Sequence, residues 1–215
     1  MDGYRFIYKE GKGELVEKKS RFLAHIVPVD TPEEAQAFVT EKKKEFWDAR
    51  HNCYAYVVGE HQEHTRCSDG GEPAGTAGRP MLDMLLKEDI HNAAVVVTRY
   101  FGGVLLGTGG LVRAYQGAVA QALADARVLI RRKGKALTVL TDYSDYGKVE
   151  YVLRELEVPV ADISYGEAVT LQAVVPLEKA ALTEKELLEK TAAKADLSWG
   201  NPVDFAVDEE GKIFF

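Results

Sequence analysis

The chain has 215 residues, 46% hydrophobic and 28% charged, a globular balance with enough apolar residues for one large core or two smaller ones. That composition excludes a disordered chain, and no apolar run reaches the length of a membrane-spanning helix. The net charge of −7 excludes a generally basic, nucleic-acid-coating protein, but it hides an asymmetry: residues 1–133 carry 19 Lys and Arg against 18 Asp and Glu, whereas residues 134–215 carry 8 against 16. A polyanionic partner is therefore expected to meet the first part through a local patch. The opening MDGYRFIYKEGKGEL lacks the apolar core of a secretory signal, so a soluble cytoplasmic protein with no membrane partner is expected. Cys53 and Cys67 are too few for a disulfide scaffold and are expected to stay reduced.

In chain order, YRFIYK reads as a strand, KEGKGE as a turn, and GELVEKKSRFLAHIVPV as further strand. Thr31-Pro32-Glu33-Glu34 is a helix start, with Thr31 as N-cap, proline at the first helical position and acids in the first turn, and the helix is expected to reach about Trp47. HNCYAYVVG is a strand on which His51 and Cys53 share a face with Ala55 and Val57. The next stretch, HTRCSDGGEPAGTAGRP, resembles neither strand nor helix. A short helix is expected over residues 81–88, a buried strand at AAVVVTRYF, a second glycine-rich loop at FGGVLLGTGG, and the longest helix at LVRAYQGAVAQALADA.

RRKGKAL reads as a linker. Beyond it come a strand (ALTVLTD), a helix (YGKVEYVLREL), two strands joined at Gly166 and a second helix (LEKAALTEKELLEKTA). A last strand, residues 196–207, contains the turn signal Gly200-Asn201-Pro202. This β-α-β-β-α-β series predicts a ferredoxin-like domain over residues 134–215 behind an α+β domain over residues 1–133.

Four chemistries compete for the first domain. His51, Cys53, His61, His64 and Cys67 cluster within seventeen residues, but no C-x-x-C pair or helical H-x-x-x-H organises a zinc site, so no metal is assigned. Cys67 or Ser68 as a nucleophile lacks a surrounding elbow motif, and no catalytic residue is assigned. Asp69 and Glu72 either share a metal ion bound to a phosphorylated ligand or cap neighbouring amides. Finally, Gly75-Thr76-Ala77-Gly78 and Gly107-Thr108-Gly109-Gly110 place one G-T-x-G pattern before two helices, where free N–H groups and glycines accept phosphate. Arg79, Arg99 and Arg113 lie in or beside these segments. The pattern serves equally as a turn followed by close packing, and both readings stay open. Lys18-Lys19-Ser20-Arg21-Phe22 and Arg99-Tyr100-Phe101 set basic beside aromatic residues, as backbone contact and base stacking require. No cofactor motif is present: there is neither a Walker lysine nor a G-x-G-x-x-G fingerprint with its later acid.

KKSRF, ARHNCYAY, SDGGEPAGTAGRPML, VVVTRYFGG and LLGTGGLVRAY resemble, in this order and spacing, the YigZ/Impact family. The resemblance covers nearly the whole chain. It implies a first domain like the second domain of a small-subunit ribosomal protein and a second domain like one of elongation factor G. It also implies a link to translation, because eukaryotic Impact proteins regulate initiation under amino-acid starvation. The expected function is a translation-linked binding protein, not an enzyme, that meets RNA, the ribosome or another phosphate-bearing ligand. The expected contacts are Asp69, Glu72, Thr76, Arg79, Arg99, Tyr100, Thr108, Arg113, Lys19 and Arg21. The alternatives are an enzyme acting on a phosphorylated small molecule in the same cleft, and a protein-interaction regulator. One departure stands out: the family pattern usually reads D-D-G-E-P, and Gly70 occupies the second acidic position.

Overall fold

The computed structural model describes residues 3–208 and 210–214. The chain divides into two compact units, Tyr4–Leu129 and a second built from Ile130 onward. No helix among the described residues is long and apolar enough to cross a membrane.

In the first unit, β1 (Tyr4–Lys9) pairs in parallel with the two-residue β6 (Ile90–His91). The main sheet is antiparallel, in the order β2 (Gly11–Glu17), β3 (Ser20–Pro28), β7 (Ala93–Tyr100), β4 (His51–Val58), β5 (His64–Ser68). Three helices cover it: α1 (Pro32–Glu45), α2 (Gly78–Lys87) and α3 (Thr108–Asp125). Strand alternation sorts the core into two layers. Phe22, Ala24, Cys53, Ala55, Val95 and Val97 face α2 and α3, while Tyr54, Tyr56, Ala94 and Val96 face Phe38 and Val39 of α1. The central β7 is therefore buried on both faces, which explains its unbroken AAVVV run.

Local chemistry accounts for the boundaries. Thr31 accepts a bond from the Glu34 amide at 3.2 Å, and Pro32 opens α1, as the residues require. The expected KEGKGE turn is instead a break at Glu10 followed directly by β2. Gly11 and Gly13 belong to that strand, and a side chain at Gly13 would stand 2.7 Å from the Ala118 carbonyl oxygen of α3. Their missing side chains let the helix lie on the strand backbone. The true turn is Lys18-Lys19, both in left-handed conformation (φ 45° and 66°). This is the geometry of a two-residue hairpin, here made without glycine. The stretch from His64 also carries more regular structure than expected, since its first five residues pair with β4 and α2 already starts at Gly78.

In the second unit, β8 (Arg127–Thr141), α4 (Tyr143–Glu155), β9 (Val160–Tyr165), β10 (Val169–Pro176), α5 (Ala180–Lys190) and β11 (Asp196–Val207) form the ferredoxin-like β-α-β-β-α-β series. Its antiparallel order is β11-β8-β10-β9, and the short β12 (Ile213–Phe214) extends the β11 edge. Leu137, Val139, Leu171 and Val175 pack beneath Val149, Val152 and Leu153 of α4 and Leu187 of α5. RRKGKAL is not a linker: it lies inside β8, and the unit boundary falls within that strand. Gly134 serves close approach, since a Cβ there would lie 2.7 Å from Phe205 Cε1 and 2.8 Å from the Val175 carbonyl oxygen. Unfolding in urea should show Gly13→Val less stable than the wild type by roughly 2–3 kcal/mol, because α3 must lift from β2 to admit the side chain.

Candidate functional site

The sheet of the first unit ends in a row of three facing residues. Register pairs Phe22 of β3 with Arg99 of β7, and Arg99 with His51 of β4. Arg99 is 5% exposed. Its guanidinium lies 5.3 Å from the Phe22 ring centre and 5.4 Å from that of Phe101, a placement that favours a flat cation. Nη1 donates to Glu72 Oε1 at 2.8 Å and Nη2 to the buried Ser20 hydroxyl at 3.3 Å. Nε is buried and has no hydrogen-bond partner among the described residues. Ser20 also accepts from the Gly102 amide at 3.2 Å, so the hydroxyl next to the Lys18-Lys19 turn fixes both the arginine and the loop after β7.

Glu72 arrives from the loop between β5 and α2. Gly70 and Gly71 take φ of 55° and 87°, which turns the chain inward. A Cβ at Gly70 would sit 2.5 Å from the Asn52 carbonyl oxygen, so the position of the usual second acid is pressed against the β4 backbone. Glu72 Oε1 accepts from Arg99 and, also at 2.8 Å, from the Tyr115 hydroxyl of α3. The Cys53 thiol completes this buried network, donating to the Asp69 carbonyl oxygen at 2.9 Å and lying 3.2 Å from the Tyr115 hydroxyl. Burial pushes that thiol up to about 12, and the Tyr115 hydrogen bond offsets only part of the effect. Burial, followed by the nearby Cys53 and Glu72, raises the Tyr115 hydroxyl well above its ordinary value.

The two G-T-x-G segments have different fates. Asp69 already occupies the start of α2: Oδ2 accepts from the Gly75 amide at 2.9 Å, and Oδ1 from Ala77 at 2.9 Å and Gly78 at 2.8 Å. Partial burial opposes ionisation of Asp69, but these three N–H groups outweigh it and hold the carboxyl below its ordinary value, as donors to a carboxylate do. Thr76 is buried and donates to the Pro73 carbonyl oxygen at 2.7 Å. Arg79 is exposed and pairs with Asp83 at 2.7 Å. The expected anion seat at α2 is therefore corrected: the protein's own carboxylate fills it.

The start of α3 differs: among the described residues no side chain caps it. Gly107, in left-handed conformation (φ 73°), precedes the helix. A Cβ at Gly109 would meet only Arg113 Nη1, at 3.6 Å. This helix start opens on a pocket of about 410 Å³. Gly71, Glu72 and Pro73 form one wall, Leu105 to Thr108 with Leu111 another, and Arg50, His51, Arg99 and Phe101 complete it. Gly71 lies against the His51 ring, whose Nδ1 is 3.2 Å from the Gly70 carbonyl oxygen. Phe101 is 47% exposed and Leu105 83%, so the rim on this side is apolar.

Of the residues singled out in the sequence, the pocket brings together Glu72, Arg99 and Thr108, and Arg113 flanks it through Gly109. Four others lie elsewhere. Lys19 is in the β2–β3 turn, Arg21 pairs with Glu14 at 2.9 Å, Tyr100 donates to Asp48 at 2.9 Å, and Arg79 meets Asp83. Tyr100 and Arg21 follow from alternation, since their neighbours Arg99 and Phe22 face the core. Arg50, His51, Leu105, Leu106 and Leu111 were not anticipated as pocket residues, and Phe101 was named only within the basic-aromatic run Arg99-Tyr100-Phe101. The shared face of His51 and Cys53 was the one available signal for His51. Among the described residues no three His, Cys, Asp or Glu side chains converge as a metal site. Asp69 and Glu72 are engaged by separate partners.

The first unit thus defines a small α+β domain whose buried Arg–Glu pair floors a pocket at a helix start, in a chain whose second unit is ferredoxin-like. Residues 18–123 match the Impact N-terminal domain and residues 139–194 a domain of unknown function, DUF1949. The chain is 39% identical over 200 residues to the IMPACT family member YvyE of Bacillus subtilis (strain 168), covering 93% of this chain and 92% of that one. It is 39% identical over 197 residues to the IMPACT family member YigZ of Escherichia coli (strain K12), covering 89% and 92%. A crystal structure of a hypothetical protein, 34% identical, aligns with TM-score 0.58 over 92% of this chain and 97% of that one. The chain belongs to the IMPACT family.

Two measurements test the loop and the buried network. Because the folded pKa of Asp69 is depressed, its contribution to stability is present above the unfolded carboxylate value near pH 4 and lost as pH falls through the folded pKa. Asp69→Asn should therefore be less stable at pH 7 by about 2 kcal/mol, and its deficit should shrink on acidification; a deficit that persists unchanged into strong acid would mean the charge is not what caps α2. Burial, and secondarily the Asp69 charge, also raises the half-buried Cys67 thiol. In native protein at pH 8 a thiol reagent should label Cys67 slowly and leave Cys53 intact until denaturant is added.

Proposed function

We propose that this chain is a translation-linked binding protein that holds single-stranded RNA, on or off the ribosome, with one phosphate at the start of α3 and a base against Phe101. The observation that carries the reading is the uncapped α3 start opening on the pocket beside the buried Arg99, whose Nε has no hydrogen-bond partner among the described residues. Free helical amides favour an anion, and a half-exposed phenylalanine at the rim provides a stacking face for any base. The translation link rests on the family resemblance alone.

Arg99→Ala is a poor probe, because removing the arginine strands Glu72 in the core at a cost of roughly 3–5 kcal/mol. Gly109→Asp is a cleaner one: it offers α3 the carboxylate that Asp69 gives α2, at a position where a Cβ would make only ordinary contact with Arg113 Nη1 at 3.6 Å. An acid in the first turn stabilises a helix by up to about 1 kcal/mol, so the variant should fold as well as the wild type. In fluorescence anisotropy with a labelled RNA of about ten nucleotides, Gly109→Asp should bind at least about tenfold more weakly, and wild-type affinity should fall with salt at about −0.7 log units per phosphate contacted. Wild-type and Gly109→Asp protein sedimenting equally with ribosomes from lysate, and binding RNA equally, would overturn the assignment. Tight binding of a mononucleotide with no gain from chain length would favour the small-molecule reading of the pocket.

A further inference from the structure

The second unit carries a surface that the RNA reading does not use. Along α4 the residues Asp145, Val149, Val152 and Leu153 are buried, and the opposite stripe presents Tyr143, Gly147, Glu150 and Tyr151. Tyr143 is 57% exposed, Tyr151 47%, and Tyr165, at the end of the neighbouring β9, 62%. These rings are held in place. The Tyr143 hydroxyl donates to the Gly166 carbonyl oxygen at 2.8 Å. The Tyr146 and Tyr165 hydroxyls are 3.3 Å apart, with ring centres 6.0 Å apart and planes at 73°. Ordered aromatic faces turned to water offer binding area at little further entropic cost.

Gly147 is the second observation. It sits in the interior of a thirteen-residue helix, where glycine is less favourable than any residue but proline. A Cβ there would find nothing within 4 Å among the described residues, so none of those contacts requires its absence. The gap lies between the tyrosines and lets another backbone or a flat group approach the helix. Charge selects what approaches. Glu150 interacts with Tyr146, Glu167 follows the Gly166 that accepts from Tyr143, and both carboxylates are exposed; Lys148 is paired with Asp145, and residues 134–215 hold twice as many acids as bases. The field repels a polyanion and attracts a cation. Arg154 already places its guanidinium 5.8 Å from the Tyr151 ring centre, which shows the contact this face makes.

We propose that this tyrosine face of α4, centred on Gly147, docks an arginine-bearing polypeptide segment, with guanidinium groups lying on the tyrosine rings and paired with Glu150 and Glu167. Arginine suits it better than lysine because its planar guanidinium stacks on aromatic faces.

The test is anisotropy of a labelled peptide of about ten alternating Arg and Gly residues against the full chain, with Lys-Gly and Glu-Gly peptides of equal length as controls. The wild type should bind the Arg peptide in a salt-sensitive manner, the Lys peptide more weakly and the Glu peptide not at all. Gly147→Ala should raise the melting temperature by a few degrees, about what one helix-propensity increment gives, yet weaken the Arg peptide by about fivefold or more. That opposition separates a docking role from a folding one. No binding by the wild type, equal binding by Gly147→Ala, or equal affinity for the Lys peptide would overturn the proposal. So would a concentration-dependent dimer of the wild type that Gly147→Ala abolishes, which would assign the face to a second copy of this chain.

Discussion

The first unit is organised around one buried charge pair, Arg99 with Glu72. A guanidinium and a carboxylate removed from water together cost several kcal/mol of hydration, which their mutual attraction recovers only when further partners satisfy the remaining atoms. Such partners, which reach every polar atom of the guanidinium but Nε among the described residues, come from three different parts of the chain. Ser20 reaches Arg99 from the β2–β3 hairpin, Tyr115 reaches Glu72 from α3, and Phe22 and Phe101 flank the guanidinium plane. The glycine-rich loop must bend inward at Gly70 and Gly71 to deliver Glu72, and the loop after β7 must press Gly102 against the Lys19–Ser20 backbone, where a Cβ would lie 2.0 Å from the Lys19 carbonyl carbon. The pair therefore dictates where both loops run, and the pocket is the space left between them.

Much of this frame was legible in the sequence because it rests on short-range rules. Alternation in HNCYAYVVG put His51 and Cys53 on one face, Thr31-Pro32 declared a helix start, and the β-α-β-β-α-β order of the second unit followed from periodicity. The failures were at residues whose conformation is set by distant contacts. Lys18-Lys19 adopts a left-handed hairpin turn that no glycine advertises, because pairing of β2 with β3 on either side imposes it. Gly11, Gly13 and Gly134 looked like turns or a linker, but they are strand positions thinned for a helix or for facing side chains and backbone. A glycine has two uses, conformational freedom and absence of bulk, and a single sequence does not say which applies.

The site divides along the same line. Periodicity carries the row Phe22, Arg99, His51, since each faces the core side of its strand. It equally sends Arg21 and Tyr100 to the other side, where they meet Glu14 and Asp48. Proximity in sequence to a basic or aromatic neighbour was thus a misleading guide. Leu105, Leu106 and Leu111 carry no chemical signal of their own and enter the pocket only because the loop folds back over Glu72. The two G-T-x-G segments differ for a reason lying outside the tetrapeptides: an aspartate six residues before Gly75 reaches back to α2, and the corresponding position before Gly107 is Phe101, which covers Arg99.

That difference also bears on how strongly the pocket can hold an anion. Glu72 lies in the wall, and its charge offsets that of Arg99, so the floor of the pocket is close to neutral. The attraction left for a phosphate comes from the amides at the α3 start, from Arg50, and from Arg113 beside Gly109. Helix-end effects contribute about 0.3–1 kcal/mol at exposed sites and up to about 2 kcal/mol when partly buried. Under the proposed function, contributions of that size would hold a single phosphate only weakly. The proposed ligand would therefore have to carry, beside the phosphate, a group that fills the apolar rim of Phe101, Leu105 and Leu106, where burial and stacking would supply the affinity that the charges do not. On the proposed reading, the balance between Arg99 and Glu72 would select phosphate joined to a ring over phosphate alone.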